Sequence, residues 1–333
     1  MHTLLPLTAL LCCTWATAGP QEACDYSAQF HGVTCVVLAD GAVVHERYRR
    51  AGDESVHWRL ASGTKSFSGV AAAAAVQDKL LTLDDKVSDT LTEWQVDGRQ
   101  DITIRQVLGL ISGITTPPPL TAGSRVTPAE AVQQPLAHPP GSRFAYGQLP
   151  FQLFAELMTR KLRGESYEAY LYRRVLQPLG IQLRFPRQPL NVGTAPDWGG
   201  GGAMTARDWA TFGEWVRNGG QWNGHPLVDA AALADNFKGS TAHPGYGLTW
   251  WLRLPPDTSA PQDATTQRAT DLYQPQAATA LPQGPLWMAA GLGKQRLYIL
   301  PGHKLVAVRQ TESLLAGERA GFSDVTFLKL LVQ

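Results

Sequence analysis

The amino-acid sequence predicts an α+β fold: an antiparallel sheet built from both chain ends, with flanking helices and a mostly helical inserted domain. Strand-like patterns rich in β-branched and aromatic residues occur at about residues 30–60 and 243–333. Residues 61–242, between them, contain mainly helical periodicities with helix-start signals. A single sheet that draws its strands from both termini explains this order. We therefore predict a sheet subdomain and a helical subdomain with these boundaries.

The first strands are predicted within residues 33–48, where Asp40-Gly41 separates two β-branched runs in a pattern typical of a hairpin. The next signals are helical. Thr103 and Gln106 have capping-box spacing, as do Thr205 and Asp208. With the helix-stop signals, these patterns predict helices over residues 103–113, 149–163, 166–177 and 205–219.

The pattern returns to strands late in the chain. We predict strands over residues 246–254, 286–293, 295–301 and 304–311, and a final amphipathic helix over residues 323–332. Pro301-Gly302 predicts a turn between the last two strands. Residues 255–285 are polar and rich in Pro, Gln and Ala, so we predict a long loop there.

Length and composition exclude several classes of protein. The chain has 333 residues, 44% of them hydrophobic, and a formal net charge of +1. That length suffices to bury one large core or two modest ones. A near-neutral charge gives no reason to predict a nucleic-acid or anionic-membrane partner. No His, Cys or acidic spacing typical of a metal site is present, and we predict neither metal nor cofactor.

The N-terminus predicts a signal peptide over residues 1–18. An apolar run over residues 4–11 precedes Ala16-Thr17-Ala18, an A-x-A cleavage site, and cleavage is expected after Ala18. The apolar run is too short to span a bilayer. Leu11 before Cys12 disfavours a lipoprotein anchor, although an anchored N-terminus is the alternative. We expect residues 19–333 to be a periplasmic or secreted domain without stable membrane insertion.

Two cysteines remain after such cleavage, Cys24 and Cys35. An even pair in an exported chain predicts a disulfide, which would join the N-terminal segment to the first strand. Two buried free thiols are the alternative.

Ser62 and Lys65 are the first candidates for chemistry. They lie at i and i+3 at the start of an alanine-rich run, so on a helix their side chains share a face. Helix N-terminal amides favour negative charge on the serine, and burial would lower the pKa of the lysine until it could accept a proton. The spacing alone is weak, because an ordinary helix with a surface lysine has the same pattern.

Further segments make the pattern specific. The chain resembles the serine β-lactamase-related hydrolases in the order and spacing of six segments. They are "ASGTKSFSG", "ITIRQVLGLISGI", "PPGSRFAYGQ", "QPLGI", "GGAMTARDWATFGEW" and "GLGKQRLYILPGHKLVAV". That family includes class C β-lactamases, D-Ala-D-Ala carboxypeptidases, lactamase-like esterases and 6-aminohexanoate-dimer hydrolases. The resemblance implies a β-lactamase/transpeptidase-like fold from about Val33 to the C-terminus.

The resemblance also implies roles for individual residues. Ser62 would be the nucleophile, Lys65 its proton partner, and Tyr146 a residue that shares the base role and protonates the leaving group. The family's third motif falls on Ala289-Ala290-Gly291. The backbone N–H groups of Ser62 and Leu292 would then form the oxyanion hole. Gly291 and Gln148 would contact the substrate.

The sequence departs from the family pattern at two of these positions. Gln148 stands where the family usually has Asn, and Ala289 where it has a lysine or histidine. Without a cation at residue 289, substrates that are neutral beside the scissile bond are expected to be preferred. Lys294 is the nearby candidate to replace that cation. Four tryptophans are candidates to line an acyl pocket, although each one singly is expected to be a core or rim residue: Trp198, Trp209, Trp215 and Trp287.

The sequence thus predicts an exported serine hydrolase that cleaves an ester, amide or peptide bond in a small molecule or short peptide through an acyl-enzyme. A true class C-type β-lactamase or D-Ala-D-Ala carboxypeptidase is the alternative among enzymes. A non-catalytic binding protein on the same scaffold is the alternative from another class. The natural substrate and the oligomeric state stay open.

Overall fold

The computed structural model describes residues 18–115, 126–186, 195–259, 261, 263–274 and 277–333. Apart from Ala18, the predicted signal peptide lies outside these residues. The central feature is a six-stranded antiparallel sheet in the order β2-β1-β10-β9-β8-β7. Its strands are β1 (Gly32–Ala39), β2 (Ala42–Tyr48), β7 (Trp251–Leu252), β8 (Trp287–Gly291), β9 (Gln295–Leu300) and β10 (Leu305–Thr311).

The sheet joins the two chain ends, as predicted. Strand β1 pairs along its length with β10, and Val36 lies opposite Val308. Both strands are almost fully buried, since helices cover the sheet. Two small two-stranded sheets accompany it: β3 (Trp58–Arg59) with β4 (Ala203–Met204), and β5 (Gln221–Trp222) with β6 (His225–Pro226).

Helices are the main regular elements of the segment between the two halves of the sheet. They are α2 (Ser66–Gln77), α3 (Ile104–Leu108), α4 (Pro128–Val132), α5 (Leu149–Leu162), α6 (Tyr167–Leu171), α7 (Gln177–Leu179), α8 (Ala206–Arg217) and α9 (Ala230–Asp235). Towards the ends of the chain lie α1 (Ala18–Gln29), α10 (Ala264–Ala269), α11 (Ala277–Ala280), α12 (Leu314–Arg319) and α13 (Asp324–Leu331).

Small side chains let two helices approach the core closely. The alanines at 71–75 in α2 have no exposed surface, so this helix is enclosed on all sides. In α8, a Cβ on Gly213 would lie 2.6 Å from Leu297 and 2.8 Å from Val306. Helix α8 therefore packs on strands β9 and β10 at a distance that only glycine permits at that position.

Several local predictions are confirmed. Asp40 and Gly41 both have positive φ (47° and 84°), the conformation of a type I′ hairpin turn between β1 and β2. Thr103 and Gln106 form the predicted capping box at the start of α3. Thr205 caps α8 by accepting a hydrogen bond from the Asp208 N–H.

Other boundaries differ from the prediction. Helix α3 ends at Leu108 rather than at Gly113. The predicted helix over residues 166–177 is interrupted by a π-helical turn, Tyr172–Leu176, and continues as α7. Pro178 in α7 has no N–H to donate to the preceding turn, and such wider turns occur where the regular ladder is broken.

Two late segments were predicted wrongly. The strand predicted over residues 246–254 is confined to β7, because the chain reverses there: the Gly247 N–H donates to the Trp250 carbonyl and Thr249 has φ of 79°. The predicted loop over residues 255–285 contains helices α10 and α11. Asp263 caps α10 by accepting from the Thr266 N–H, a spacing that the sequence interpretation overlooked.

The predicted disulfide is present between Cys24 in α1 and Cys35 in β1, with Cα atoms 5.5 Å apart. Both residues are buried. Helix α1 also packs on α13, where a Cβ on Gly19 would lie 2.9 Å from the Leu330 carbonyl oxygen. The disulfide thus fixes the N-terminal helix to the centre of the sheet and, through α13, to the C-terminal helix.

Removing the disulfide is expected to destabilise the protein. The bridge closes a loop with a sequence separation of 11 residues, for which the chain-entropy estimate is about 3 kcal/mol. A Cys24→Ala/Cys35→Ala variant should unfold at lower denaturant concentration by that amount. Wild type unfolded and refolded in dithiothreitol is the matched control and should behave like the variant. Equal unfolding midpoints for the variant and the oxidised wild type would contradict the prediction.

Candidate active site

Ser62 lies in a 3₁₀ turn, Ala61–Lys65, that leads directly into α2. The sequence predicted an α-helical start, but a 3₁₀ turn brings side chains at i and i+3 into closer register. Ala61, just before Ser62, has φ of 47°, a conformation that non-glycine residues rarely adopt and that occurs at functional sites. The turn is held in place because the Leu60 N–H donates to the Gly202 carbonyl (2.8 Å).

Lys65 is buried, with 1% of its surface exposed. Its Nζ lies 2.9 Å from Ser62 Oγ and 2.5 Å from the Gly199 carbonyl oxygen. Burial lowers the pKa of Lys65 from 10.5 to about 7, against the opposing charge of Asp197. Near neutral pH, a large fraction of Lys65 is therefore an uncharged amine next to a serine hydroxyl, as a proton acceptor must be.

Tyr146 faces the same serine from the loop before α5. The Ala145 N–H donates to the Leu110 carbonyl (2.8 Å), and the Tyr146 ring stacks on Trp251 with centroids 5.4 Å apart. Burial raises the pKa of Tyr146 to about 12, although a hydrogen bond with the Ser62 side chain and the charge of Arg296 act in the opposite direction. The phenol keeps its proton near neutral pH and can donate it.

Strand β8 packs directly against the turn that carries Ser62. A Cβ on Gly291 would lie 2.0 Å from the Leu60 carbonyl oxygen and 3.1 Å from Ala61 Cβ. A side chain at 291 is therefore incompatible with this packing. Leu292 follows the strand with its side chain 47% exposed, and it lines the same cavity as Ser62.

A buried ion pair holds the end of β8. Arg296 on β9 lies opposite Ala290 in the strand register, and its Nη1 donates to the Gly291 carbonyl (3.0 Å). Its Nε lies 2.6 Å from Asp324 Oδ1, and both side chains are 1% exposed. Burial opposes ionisation of Asp324, but the charge of Arg296 outweighs it and holds the pKa of Asp324 below its ordinary value.

The same guanidinium reaches a second element. Arg296 Nη2 donates to the Ala269 carbonyl (2.8 Å), at the end of α10. Asp324, at the start of α13, also accepts hydrogen bonds from Thr270 (2.8 Å) and Tyr298 (2.5 Å). Removing one partner from such a buried, hydrogen-bonded pair leaves an uncompensated charge, so the pair fixes β8, α10 and α13 together.

Ser62 and Tyr146 open onto a cavity of about 280 Å³ that is also lined by the end of β8 and by α10. Its wall is mainly apolar, with four polar or charged side chains besides those of Ser62 and Tyr146. The lining residues are Ser62, Tyr146, Trp251, Thr265, Arg268, Ala269, Ala290, Gly291, Leu292, Arg296 and Glu318. The cavity size suits a small acyl group or a short peptide end rather than a large ligand.

Gln148, predicted to contact the substrate, is not among the residues that line this cavity. It packs against the glycine run instead: a Cβ on Gly199 would lie 2.5 Å from Gln148 Cβ. The Gly202 N–H donates to Thr64 Oγ1 (3.0 Å), below the 3₁₀ turn. The run from Gly199 to Gly202 thus lets the backbone approach Gln148 and the 3₁₀ turn closely.

Each of the four tryptophans lies in the core or at its rim, as expected for each one singly, and an acyl pocket lined by all four is not formed. Trp198, Trp209 and Trp215 are buried in the core, and Trp287 stacks on Phe237 with ring centroids 3.6 Å apart. These residues fill space between helices and sheet, and none lines the cavity that holds Ser62. Trp251 takes that position, because the chain reversal before β7 turns it towards Tyr146.

Lys294 does not line the cavity either. It lies in the turn after β8 with φ of 58°, and its Nζ is 3.4 Å from Glu318 and 3.3 Å from the Arg268 carbonyl oxygen. The cations that do line it are Arg268 and Arg296, which sequence reasoning missed. Strand alternation could have indicated Arg296, whereas the residues around Arg268 gave no signal beyond a helix cap.

Within the described ranges, no group of three or more His, Cys, Asp or Glu side chains could hold a metal ion. No helix in the same part of the chain is both long and apolar enough to cross a membrane.

Comparisons with known proteins agree on one family. The Beta-lactamase family model matches residues 20–321. Protein flp of Staphylococcus aureus (strain NCTC 8325 / PS 47) is 29% identical over 134 residues, a match that covers 37% of this chain and 26% of Protein flp. The chain therefore matches only about a quarter of the length of that curated relative.

Solved structures share the fold across most of the chain. EstCE1, described as a hydrolase with promiscuous acyltransferase activity, superposes with a TM-score of 0.65 at 19% identity. The superposition covers 95% of this chain and 97% of the EstCE1 chain. A penicillin-binding protein homologue from Caulobacter crescentus has a TM-score of 0.64 at 15% identity, with coverages of 91% and 95%. At these identities the likeness concerns the fold.

Adding a methyl group at Gly291 is expected to impair the site. In Gly291→Ala the new Cβ clashes with the Leu60 carbonyl, so β8 must move away from Ser62. Reaction of Ser62 with a fluorophosphonate probe should slow by roughly 10²-fold, the cost of a misplacement of about 1 Å. Gly302→Ala, which meets no atom within 4 Å, is the control. Equal labelling rates for both variants and wild type would refute the proposed packing constraint.

Replacing Lys65 with an uncharged residue is expected to stabilise the fold in a pH-dependent way. Folding lowers its pKa from 10.5 to about 7, so below about pH 7 both states are protonated and the folded state bears the whole cost of the buried charge. That cost declines as pH rises from about 7 towards 10.5. The free energy of unfolding of Lys65→Met should therefore exceed that of wild type by on the order of 1–2 kcal/mol at about pH 6, and by less at about pH 9.

Thermal unfolding of Lys65→Met and wild type across this pH range measures the effect. Lys329→Met, on the exposed face of α13, is the matched control and should show no such trend. A stability difference that is independent of pH would contradict the lowered pKa.

Proposed function

Because the chain belongs to the beta-lactamase family, we propose that it is a serine hydrolase that cleaves an ester, amide or peptide bond through an acyl-enzyme on Ser62. One observation carries the proposal: Ser62 Oγ lies 2.9 Å from the Nζ of a buried lysine whose pKa is about 7. A serine hydroxyl becomes a useful nucleophile only when a neighbouring base accepts its proton.

In the acylation step, the neutral amine of Lys65 accepts the Ser62 proton while Oγ attacks the substrate carbonyl carbon. The carbonyl oxygen becomes an oxyanion, and the backbone N–H groups of Ser62 and Leu292 are the proposed donors to it. Tyr146 gives its phenolic proton to the departing oxygen or nitrogen and recovers a proton from the Lys65 ammonium. The products are the free leaving group and an ester of Ser62.

Hydrolysis of that ester reverses the proton movements. A water molecule attacks the acyl carbonyl carbon, and neutral Lys65 accepts its proton. The bond to Ser62 Oγ then breaks, and Oγ recovers a proton from the Lys65 ammonium, directly or through Tyr146. Each of the three side chains returns to its starting protonation state.

A non-catalytic role on the same scaffold is a weaker explanation. Burying Lys65 lowers the stability of the protonated fold, and Ala61 adopts a strained conformation beside Ser62. A binding protein needs neither feature, whereas an acyl-transfer site uses both. EstCE1, described as a hydrolase with promiscuous acyltransferase activity, has the same fold, which supports acyl chemistry as the proposed reaction class.

We also propose that the mature protein is exported, to the periplasm or beyond the cell. The predicted signal peptide is one support. The second is the Cys24–Cys35 bridge, since structural disulfides form and persist in oxidising compartments.

Removing the nucleophile is expected to abolish turnover. Ser62→Ala should neither hydrolyse p-nitrophenyl butyrate nor react with a fluorophosphonate, with an unchanged far-UV circular dichroism spectrum. Ser55→Ala, at an exposed serine, is the control for the substitution itself. Retained hydrolysis in Ser62→Ala would rule out the acyl-enzyme proposed here.

Removing either proton-transfer group is expected to slow the chemistry. Lys65→Ala and Tyr146→Phe should each lower kcat by roughly 10²-fold or more, as loss of a general acid or base does. The wild-type kcat/KM should rise with pH through an apparent pKa near 7, that of Lys65. Tyr172→Phe, at an exposed tyrosine, is the control. Full activity of Tyr146→Phe on an unactivated amide would contradict its role.

A further inference from the structure

The cavity beside Ser62 carries one positive charge that has no ion-pair partner among the described residues. The sequence led us to expect a preference for neutral substrates, because Ala289 provides no cation. Position 289 does lack a cation, but in the folded protein Arg268 and Arg296 both line the cavity. The two guanidinium groups differ in their surroundings.

Arg296 is neutralised by Asp324, 2.6 Å away and equally buried. The one carboxylate in the lining, Glu318, lies 3.4 Å from Lys294 and also accepts the Gly293 N–H (3.0 Å). Arg268 is exposed, and its guanidinium forms no ion pair or hydrogen bond with any residue in the described ranges. It is therefore free to pair with a ligand.

Helix α10 holds Arg268 at a defined place. Asp263 caps the start of the helix, and His243 Nε2 lies 2.9 Å from Thr266 Oγ1. At the other end, the Ala269 carbonyl accepts from Arg296 and the Arg268 carbonyl accepts from Lys294. The backbone that carries Arg268 is thus attached to the same hairpin, β8–β9, that borders Ser62.

We propose that Arg268 binds a carboxylate of the substrate, so that this hydrolase prefers ester or amide donors that carry a negative charge near the scissile bond. The proposal rests on the proposed function and specifies its substrate class. A guanidinium matches a carboxylate with two parallel hydrogen bonds, and such charge-assisted bonds are the stronger kind. Thr265 lies three residues before Arg268, on the same helix face and in the same cavity wall, and offers a hydroxyl beside it.

In this proposal, the cation that binds the substrate lies on helix α10 rather than on strand β8. At the third motif the strand provides Ala289 and Ala290, which have no charge, whereas α10 provides Arg268 to the cavity wall. Arg268 is exposed although it lines the cavity, so pairing with it does not require an isolated charge to enter a dry site.

Two matched pairs of esters test the proposal. In one, the charge is on the leaving group: 4-(butyryloxy)benzoate and its methyl ester. In the other it is on the acyl side: mono-p-nitrophenyl adipate and p-nitrophenyl hexanoate. For wild type we expect kcat/KM to favour the charged member of at least one pair by roughly 10-fold or more. In Arg268→Gln the ratio of kcat/KM for the charged ester to that for the neutral ester should fall towards one. Arg268→Lys should give an intermediate ratio, because an ammonium keeps the positive charge but cannot form the two parallel hydrogen bonds of a guanidinium.

Arg319→Gln, at an exposed arginine outside the cavity, is the control and should keep the wild-type ratio. Charged and neutral members used equally well in both pairs would overturn the proposal. So would an Arg268→Gln variant that loses activity on both members alike.

Binding to Ser62→Ala separates this proposal from the proposed function. Calorimetry on that variant measures the affinity of intact 4-(butyryloxy)benzoate and of its methyl ester without turnover. Tighter binding of the charged ester that is lost on adding Arg268→Gln supports the carboxylate site, whether or not wild type hydrolyses either ester. Equal affinities of the two esters would refute it, even if wild type proves to be an active hydrolase.

Discussion

The burial of one ammonium group, that of Lys65, is the constraint on which the rest of the site depends. Taking this side chain out of water lowers its pKa to about 7 and so makes it a base, but it also destabilises the charged fold. The surroundings meet this cost with two contacts, to Ser62 Oγ and to the Gly199 carbonyl. The rings of Tyr146 and Phe151 enclose the ammonium, with centroids 5.0 Å and 5.3 Å from Nζ.

A second set of contacts fixes the walls around that lysine. Gly291 lets β8 touch the backbone just before Ser62, and Arg296 ties the same strand to α10 and α13 through Asp324. The catalytic turn, the strand beside it and the helix that carries Arg268 are therefore coupled by backbone contacts and one buried ion pair. These contacts fix the walls of the cavity, and among the described residues that line it Arg268 is the cation without an ion-pair partner.

Prediction from the sequence succeeded where the signal is local. The Asp40-Gly41 turn, the capping box at Thr103 and the pairing of Cys24 with Cys35 depend on residues close together in the chain, and all three are present. It failed where distant segments decide the conformation. The strand expected over residues 246–254 gives way to a chain reversal, and the polar stretch after it forms helices that the hydrophobic pattern alone does not show.

By itself, the sequence determined that the sheet takes its strands from both chain ends and that Ser62, Lys65 and Tyr146 belong to one candidate site. Periodicity, turn residues and motif spacing are local signals that can be read from the order of residues in the chain. Only the tertiary structure decided which tryptophan faces the cavity and that Arg268 and Arg296 are the cations that line the cavity. It also decided that Gln148 packs against Gly199 and that Lys294 pairs with Glu318. These outcomes depend on the relative placement of α10, α13 and β8, which are far apart in the chain. Contacts between such segments are set by packing and by buried charge pairs, and these leave no periodic trace in a single sequence.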